Sequence, residues 1–318
     1  MSAIVEEGHE SAPETVKVLV AAFDGMDMLD ATGPMEVFSN ALHDKNNPDS
    51  KAFNITICGP SGKVTTSQGI GIAANTSYDD ATKRLGDFDL LVIPGGGTDA
   101  IIKSKGQPLP IIKAFAELQK RNPSRERTLM SVCTGSLFLA ETGILSGLTA
   151  TTHPDFMARL EIICSNVAQR DMSDRTDVMD ARYVVNNLRF DLGNEEEKNP
   201  YIMTKKEYQA HQRRKSATSL SSPIEEGTNG ATGTRRQSNA RKGSMSFKIS
   251  NMRRESVLKR AELRLGGLRV LTSSGVTSGV DGALYLVGAL VSDDAAEETA
   301  RKICHEWKKG VVVDGTDV

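Results

Sequence analysis

Residues 128–139 read TLMSVCTGSLFL, and the order of residue types in this stretch decides the fold. Thr128 to Val132 is a short, largely apolar run of the kind that lies buried on both faces within a parallel sheet. It stops at Cys133, a residue able to act as a nucleophile. The small residues Thr134, Gly135 and Ser136 then open an apolar helix predicted over 134–142 and closed by Gly143. A strand, a tight turn carrying a nucleophile and a helix make the plan of a nucleophile elbow, here with Cys in place of Ser. Small neighbours are needed because the turn brings the backbone close to adjacent chain. A helix N-terminus beside Cys133 favours its thiolate through the dipole and the free N–H groups. Most free cysteines are small buried hydrophobes and nothing more. The turn context separates Cys133 from Cys58, Cys164 and Cys304, which read as structural.

Working outward, the pattern repeats. VKVLVAAF (16–23) reads as a buried strand, 31–42 as a helix with Pro34 in its first turn, and 53–58 as a second strand. A hairpin or an extended excursion is expected over 65–74, a strand over 88–93 and a helix over 110–119. Near the carboxyl end LRVLT (268–272) is a strand, followed by an apolar helix over 276–291 and an amphipathic one over 293–307. Strands alternating with helices at this spacing give an α/β fold with a mainly parallel sheet and helices on both faces. Residues 1–14 read as a flexible tail. Its four glutamates, without Lys or Arg, are wrong for a secretory or mitochondrial leader. No apolar run approaches the ~18 residues of a membrane span. The scattered cysteines lack the spacing of disulfides or structural zinc, so free thiols in the cytoplasm or nucleus are expected, with no metal.

The 318 residues carry a net charge of −2, but that balance conceals a split. From Lys198 to Arg264 there are 16 Lys and Arg against 5 Asp and Glu, which leaves −13 on the rest. Residues 192–265 are rich in Ser, Arg, Lys, Gly, Asn and Thr and poor in aliphatic side chains, so they are expected to be a disordered insert, with a marginal helix over 256–265. The domain is then 15–191 joined to 266–310. Arg-Arg-x-Ser strings ending at Ser216, Ser238 and Ser256 resemble substrates of basophilic kinases, although an Arg/Ser-rich segment produces such strings by chance. Phosphates there would cancel part of the positive charge. Few aromatic residues are interleaved to stack on bases, which argues against nucleic acid as a partner.

Two further elements fall, like Cys133, beyond the carboxyl ends of predicted parallel strands, where open α/β sheets bind ligands. Gly95-Gly96-Gly97 follows the 88–93 strand, and its N–H groups are candidates for an oxyanion hole, or form a plain tight turn. Asp30, in MLDATGP, is either a helix cap or a carboxyl group sharing a cleft with Cys133. His153 follows the elbow helix and is a candidate base for the thiol, though a lone histidine is commonly structural.

Taken together, FDGMDMLDATGPMEVF (23–38), LVIPGGG (91–97), SVCTGSLFLAETGILSGLTATTH (131–153) and LTSSGVTSGVDGALYLV (271–287) resemble the ThiJ/PfpI superfamily. The resemblance implies a flavodoxin-like, class I glutamine amidotransferase-like three-layer sandwich. The LD-x-TGP and SVCTGS-x-x-L patterns are most similar to its isonitrile hydratase branch. By that likeness Cys133 attacks the electrophilic carbon of an isonitrile, Asp30 positions or protonates the reacting group, Thr134 flanks the thiolate, and Gly96 and Gly97 supply backbone at the oxyanion side. Water then releases an N-substituted formamide, with no cofactor. Homodimers are common among such relatives. The glyoxalase and deglycase branch usually carries Glu where Asp30 stands, which leaves aldehyde chemistry as an alternative. A non-enzymatic regulatory protein with Cys133 as a redox-responsive thiol is another.

Overall fold

The computed structural model describes residues 14–186, 201–218, 262 and 264–313. The chain enters through β1 (Val16–Ala21) and α1 (Met28–Asn40), then β2 (Phe53–Gly59), the hairpin strands β3 (Lys63–Thr65) and β4 (Gly71–Ala73), β5 (Thr76–Ser77) and α2 (Tyr78–Lys83). Next come β6 (Leu90–Ile93), α3 (Asp99–Ser104), α4 (Leu109–Arg121), β7 (Thr128–Val132) and α5 (Gly135–Glu141). The short strands β8 (Thr149–Ala150) and β9 (Asp177–Val178) flank α6 (Met157–Asp171), and β10 (Tyr183–Asn186) follows. The remainder is β11 (Ile202–Thr204), α7 (Lys205–Thr218), β12 (Arg269–Ser273), α8 (Ser278–Leu290), α9 (Asp293–Lys302) and β13 (Gly310–Val313).

Nine strands form one sheet in the order β11-β13-β10-β12-β7-β6-β1-β2-β5. From β5 to β12 all pairs are parallel, whereas β10 runs antiparallel to β12 and turns the last three strands around. β6 and β7, the middle of the sheet, are buried along their whole length, as their continuous apolar runs require. On one side α1 packs on α8 and α8 on α9; on the other α4 packs on α5 and α5 on α6. The result is the flavodoxin-like three-layer sandwich that the motifs imply.

The structure departs from the sequence reading at the sheet's far edge. Within the insert expected to lack order, residues 201–218 form β11 and α7. Average composition hides the reason. Ile202 to Thr204 need only lengthen an existing sheet, and Tyr208 packs on the small cluster of Met179, Ala181, Val184, Val311 and Val313. Tyr201 stacks on Trp307, with ring centroids 3.9 Å apart and planes within 6°. Ser216 lies in α7; Ser238 and Ser256 lie outside the described residues, as does most of the marginal helix expected over 256–265. The sheet also runs past residue 310 to Val313 through β13, too short a segment to stand out by periodicity.

Candidate active site

Cys133 stands between β7 and α5 with φ +56, a left-handed conformation that costs energy for a residue with a Cβ and persists only where its surroundings enforce it. Those surroundings are specific. The Cys133 N–H donates to Ser273 O at the end of β12 (3.0 Å), and its carbonyl accepts from the hydroxyls of Thr152 (3.0 Å) and Ser136 (3.1 Å). Gly135 allows the turn to close, since a Cβ there would lie 2.4 Å from Ile93 O and 2.9 Å from Pro94 O.

Asp30 meets the thiol from across the sheet's carboxyl edge. Sequence places it in a loop before a helix starting at Ala31; the helix instead begins at Met28, and Asp27 is its N-cap, accepting from the Leu29 N–H. Freed from capping, Asp30 is fully buried. Its Oδ2 accepts the Gly95 N–H (3.1 Å), while Oδ1 is buried without a nitrogen or oxygen partner. Burial, and then the charge of Asp27, raise its pKa to about 7; the Gly95 N–H and the contact with Cys133 oppose this.

The same burial, followed by the charge of Asp30, pushes the Cys133 thiol up to about 12, against the Thr134 N–H that donates to the sulfur. This corrects the expectation that the helix N-terminus alone would favour thiolate. One N–H does not offset a dry site with two carboxylates nearby. The two shifts describe one pair. Asp30 raises the thiol only while ionised, so when it holds its proton that repulsion vanishes and the carboxylic acid can donate to the sulfur. Around pH 7 the Asp30 carboxyl is at its midpoint, and once it ionises the pair holds one proton and one negative charge.

The glycine loop serves a different purpose from the one expected. Gly95 N–H is engaged by Asp30, Gly96 N–H donates to Thr134 Oγ1 (2.8 Å), and Gly97 N–H donates to Gly25 O (3.0 Å). Neither Gly96 nor Gly97 is free to receive an oxyanion. The loop instead holds Asp30 and Thr134 against each other, and the Thr134 hydroxyl returns a bond to Gly96 O (3.1 Å). A Cβ on Gly95 would fall 2.7 Å from Asp30 Oδ2 and Thr134 N.

His153 follows Thr152, whose hydroxyl donates to the Cys133 carbonyl (3.0 Å). Pro154 starts a short helical turn, and the imidazole is taken up as its cap, with Nδ1 accepting from the Asp155 N–H (3.3 Å). Two groups that the sequence did not reveal do reach the site. Asp27 acts on both acids, and Gln68, at the tip of the β3–β4 hairpin, donates to Asp27 Oδ2 (2.8 Å) and accepts from the Met28 N–H (3.1 Å). A contact spanning 41 residues leaves no local signal. Cys58 and Cys164 are buried and Cys304 is exposed, all as free thiols. Among the described residues no group of His, Cys, Asp and Glu could hold a metal ion, and no helix is long and apolar enough to cross a membrane.

Asp30 gives a stability prediction with a definite sign. Its folded pKa lies above its unfolded value of about 3.8, so the folded state is most favoured below that pH and loses stability as pH rises towards 7. Asp30→Asn should therefore unfold at higher urea than wild type at pH 8, by up to about 4 kcal/mol, with the gap closing towards pH 4. Equal stabilities at pH 8 would contradict a buried, ionisable carboxyl.

A strained cysteine at the end of a central parallel strand, with a buried acid across from it, defines a class of α/β protein, and comparison identifies the family. The DJ-1/PfpI family profile matches residues 16–190, and the chain belongs to that family. It is 36% identical over 150 residues to an "Uncharacterized protein in cpoL 5'region" of Streptomyces lividans, covering 46% of this chain and 94% of the relative. Isonitrile hydratase of Pseudomonas putida is 30% identical over 131 residues, 41% of this chain and 49% of the enzyme. The Parkinson disease protein 7 homolog of Danio rerio is 29% identical over 140 residues, 43% of this chain and 65% of its own. Both are thus matched over less than two thirds of their length. A THiJ/PfpI family protein from Pseudomonas syringae superposes with TM-score 0.51 at 16% identity, covering 96% of this chain and 82% of that one. Schizosaccharomyces pombe DJ-1 does so with TM-score 0.50 at 15% identity, covering 92% and 100%. At such identities these two speak for the fold alone.

Proposed function

We propose that the protein is a cofactor-independent enzyme that uses Cys133 to hydrate an isonitrile to an N-substituted formamide. The observation that carries this reading is the buried Asp30–Cys133 pair, a strained thiol facing one buried acid that gains and loses its proton near neutral pH. An isonitrile needs both at one carbon. The thiolate adds to the terminal carbon, and the carbanion character that develops there takes the Asp30 proton, giving a thioimidate. Asp30, now a carboxylate, accepts a proton from the attacking water as it adds to that carbon. The thiolate leaves, and the hydroxyimine tautomerises to the formamide. Water supplies the oxygen and both hydrogens gained, so nothing is oxidised. Thr134 N–H holds the sulfur during attack and departure. The likeness to isonitrile hydratase supports the reading.

The test is a panel of alkyl isonitriles and 2-oxoaldehydes in water enriched in oxygen-18. The expected product is the formamide carrying one heavy oxygen. Conversion of 2-oxoaldehydes to 2-hydroxy acids, with isonitriles untouched, would replace this reading by the aldehyde one. No turnover of either class by folded protein with a reactive Cys133 would leave a thiol sensor.

A further inference from the structure

One peptide group in the elbow is hydrogen-bonded at both of its ends. Its N–H, from Thr134, donates to the Cys133 sulfur. Its C=O, from Cys133, lies on the opposite side of the trans peptide and accepts two hydroxyls, Thr152 Oγ1 at 3.0 Å and Ser136 Oγ at 3.1 Å. The Ser136 N–H stands farther off, at 3.4 Å. Both side chains are fully buried, so neither hydroxyl has water as an alternative partner. A carbonyl oxygen has two lone pairs, and the two hydroxyls occupy them.

Local order accounts for only one of these donors. Ser136 stands three residues after Cys133, at the start of α5, where a serine readily returns a bond to nearby backbone. Thr152 arrives from 19 residues away. It is aimed by its neighbour Thr151, whose N–H donates to Thr272 Oγ1 on β12 (2.9 Å) and whose hydroxyl donates to Ala181 O (3.1 Å). A single donor satisfies a buried carbonyl, so the second is not needed for that purpose. What it adds is polarisation. Hydrogen bonds in series strengthen one another, by about 10–30% per bond in a site shielded from water. Electron density drawn towards the Cys133 oxygen leaves the Thr134 N–H more positive where it faces the sulfur. That matters here because Asp30 and Asp27, both on the α1 side, oppose ionisation of the thiol.

We propose that Thr152 and Ser136 are positioning residues for the nucleophile: acting through the Cys133 carbonyl, they strengthen the Thr134 N–H that holds the sulfur as thiolate, both when it attacks and when it leaves. Neither hydroxyl touches the reacting atoms. The inference rests on Cys133 being the reacting thiol, not on which electrophile it takes.

Alkylation by iodoacetamide at pH 8 reads the thiolate: the Cys133 thiolate forms a bond to carbon and iodide leaves. Rates are followed by mass spectrometry of the Cys133 peptide, with the exposed Cys304 as internal reference. Thr152→Val keeps the shape of the side chain without its hydroxyl, and Cys133 should then react about threefold more slowly. Ser136→Ala, the smaller change in volume, should slow it about twofold, and the two together about tenfold. Thr152→Ser restores the hydroxyl and should stay near wild type. A loosened elbow would expose the thiol and speed the reaction, so damage to the fold moves the rate in the other direction. Rates unchanged or faster in the folded variants, or a loss in Thr152→Ser as large as in Thr152→Val, overturn the proposal. If Thr152→Val fails to fold, Ser136→Ala alone decides. Because alkylation needs no turnover, failure of the isonitrile panel would sink the proposed reaction and leave this result standing.

Discussion

Cys133→Ser should lower formamide production by about 10⁴-fold or more, close to the background rate, with the fold intact. A serine hydroxyl fits the volume of the thiol and can accept the Thr134 N–H, so geometry is kept. What is lost is acidity. Asp30, with a pKa of about 7, can exchange a proton with a thiol but is far too weak a base to ionise an alcohol. Cys133→Ala should then be no worse than Cys133→Ser, because the nucleophile is already gone. Single-turnover assays at micromolar enzyme give the measurement, and a serine variant within tenfold of wild type would show that the thiol is not the nucleophile. Asp30→Asn should lose less, about 10²- to 10³-fold, since the proton donor is removed while the thiol remains.

The second large effect is on stability. Gly135→Ala inserts a methyl group 2.4 Å from Ile93 O and 2.9 Å from Pro94 O, backbone atoms at the end of β6 and the start of the loop after it. A flexible side chain could step aside; a carbonyl at the end of β6 can move only by shifting α5 or the 94–97 loop. Overpacking against backbone here should cost about 3 kcal/mol, at the upper end for such changes. It should also separate Thr134 from Gly96 and so disturb the Asp30–Cys133 pair. Urea denaturation would show the loss, and any surviving folded enzyme should have reduced turnover. A variant within about 0.5 kcal/mol of wild type would mean that the elbow has slack which the structure does not contain.

Much of this site could be read from residue order because its decisive part is local. Cys133, Thr134 and Gly135 are consecutive, and the strand before them and the helix after them announce the turn. Asp30 was legible as a cleft residue but not as a member of the first turn of α1, because Asp27 and Asp30 are equally good caps on paper. The partners of the glycine loop leave no local signal: Asp30 is 65 residues from Gly95, and Thr134 is 38 residues from Gly96. Pro154 starts a helical turn for which His153 Nδ1 serves as the cap, a use that a histidine followed by proline does not announce. At the fold level the buried parallel strands carried their own signal. β10, β11 and β13 did not, being three or four residues long and formed by joining an edge already made.

The position of β12 has a consequence for how the molecule is made. This strand fills the slot between β7 and β10, yet it follows the insert, whereas the family match ends at residue 190. A chain growing on the ribosome therefore completes β7 long before its neighbour exists. At about 5–20 residues per second, the stretch from 190 to 268 delays β12 by roughly 4–16 s. Throughout that interval one edge of β7, with Leu129, Met130 and Val132, has no strand beside it, and Cys133 lacks the Ser273 carbonyl that fixes its turn. The length of the insert acts as a timer on synthesis. The turn at Cys133 is therefore completed only after the whole insert has been synthesised.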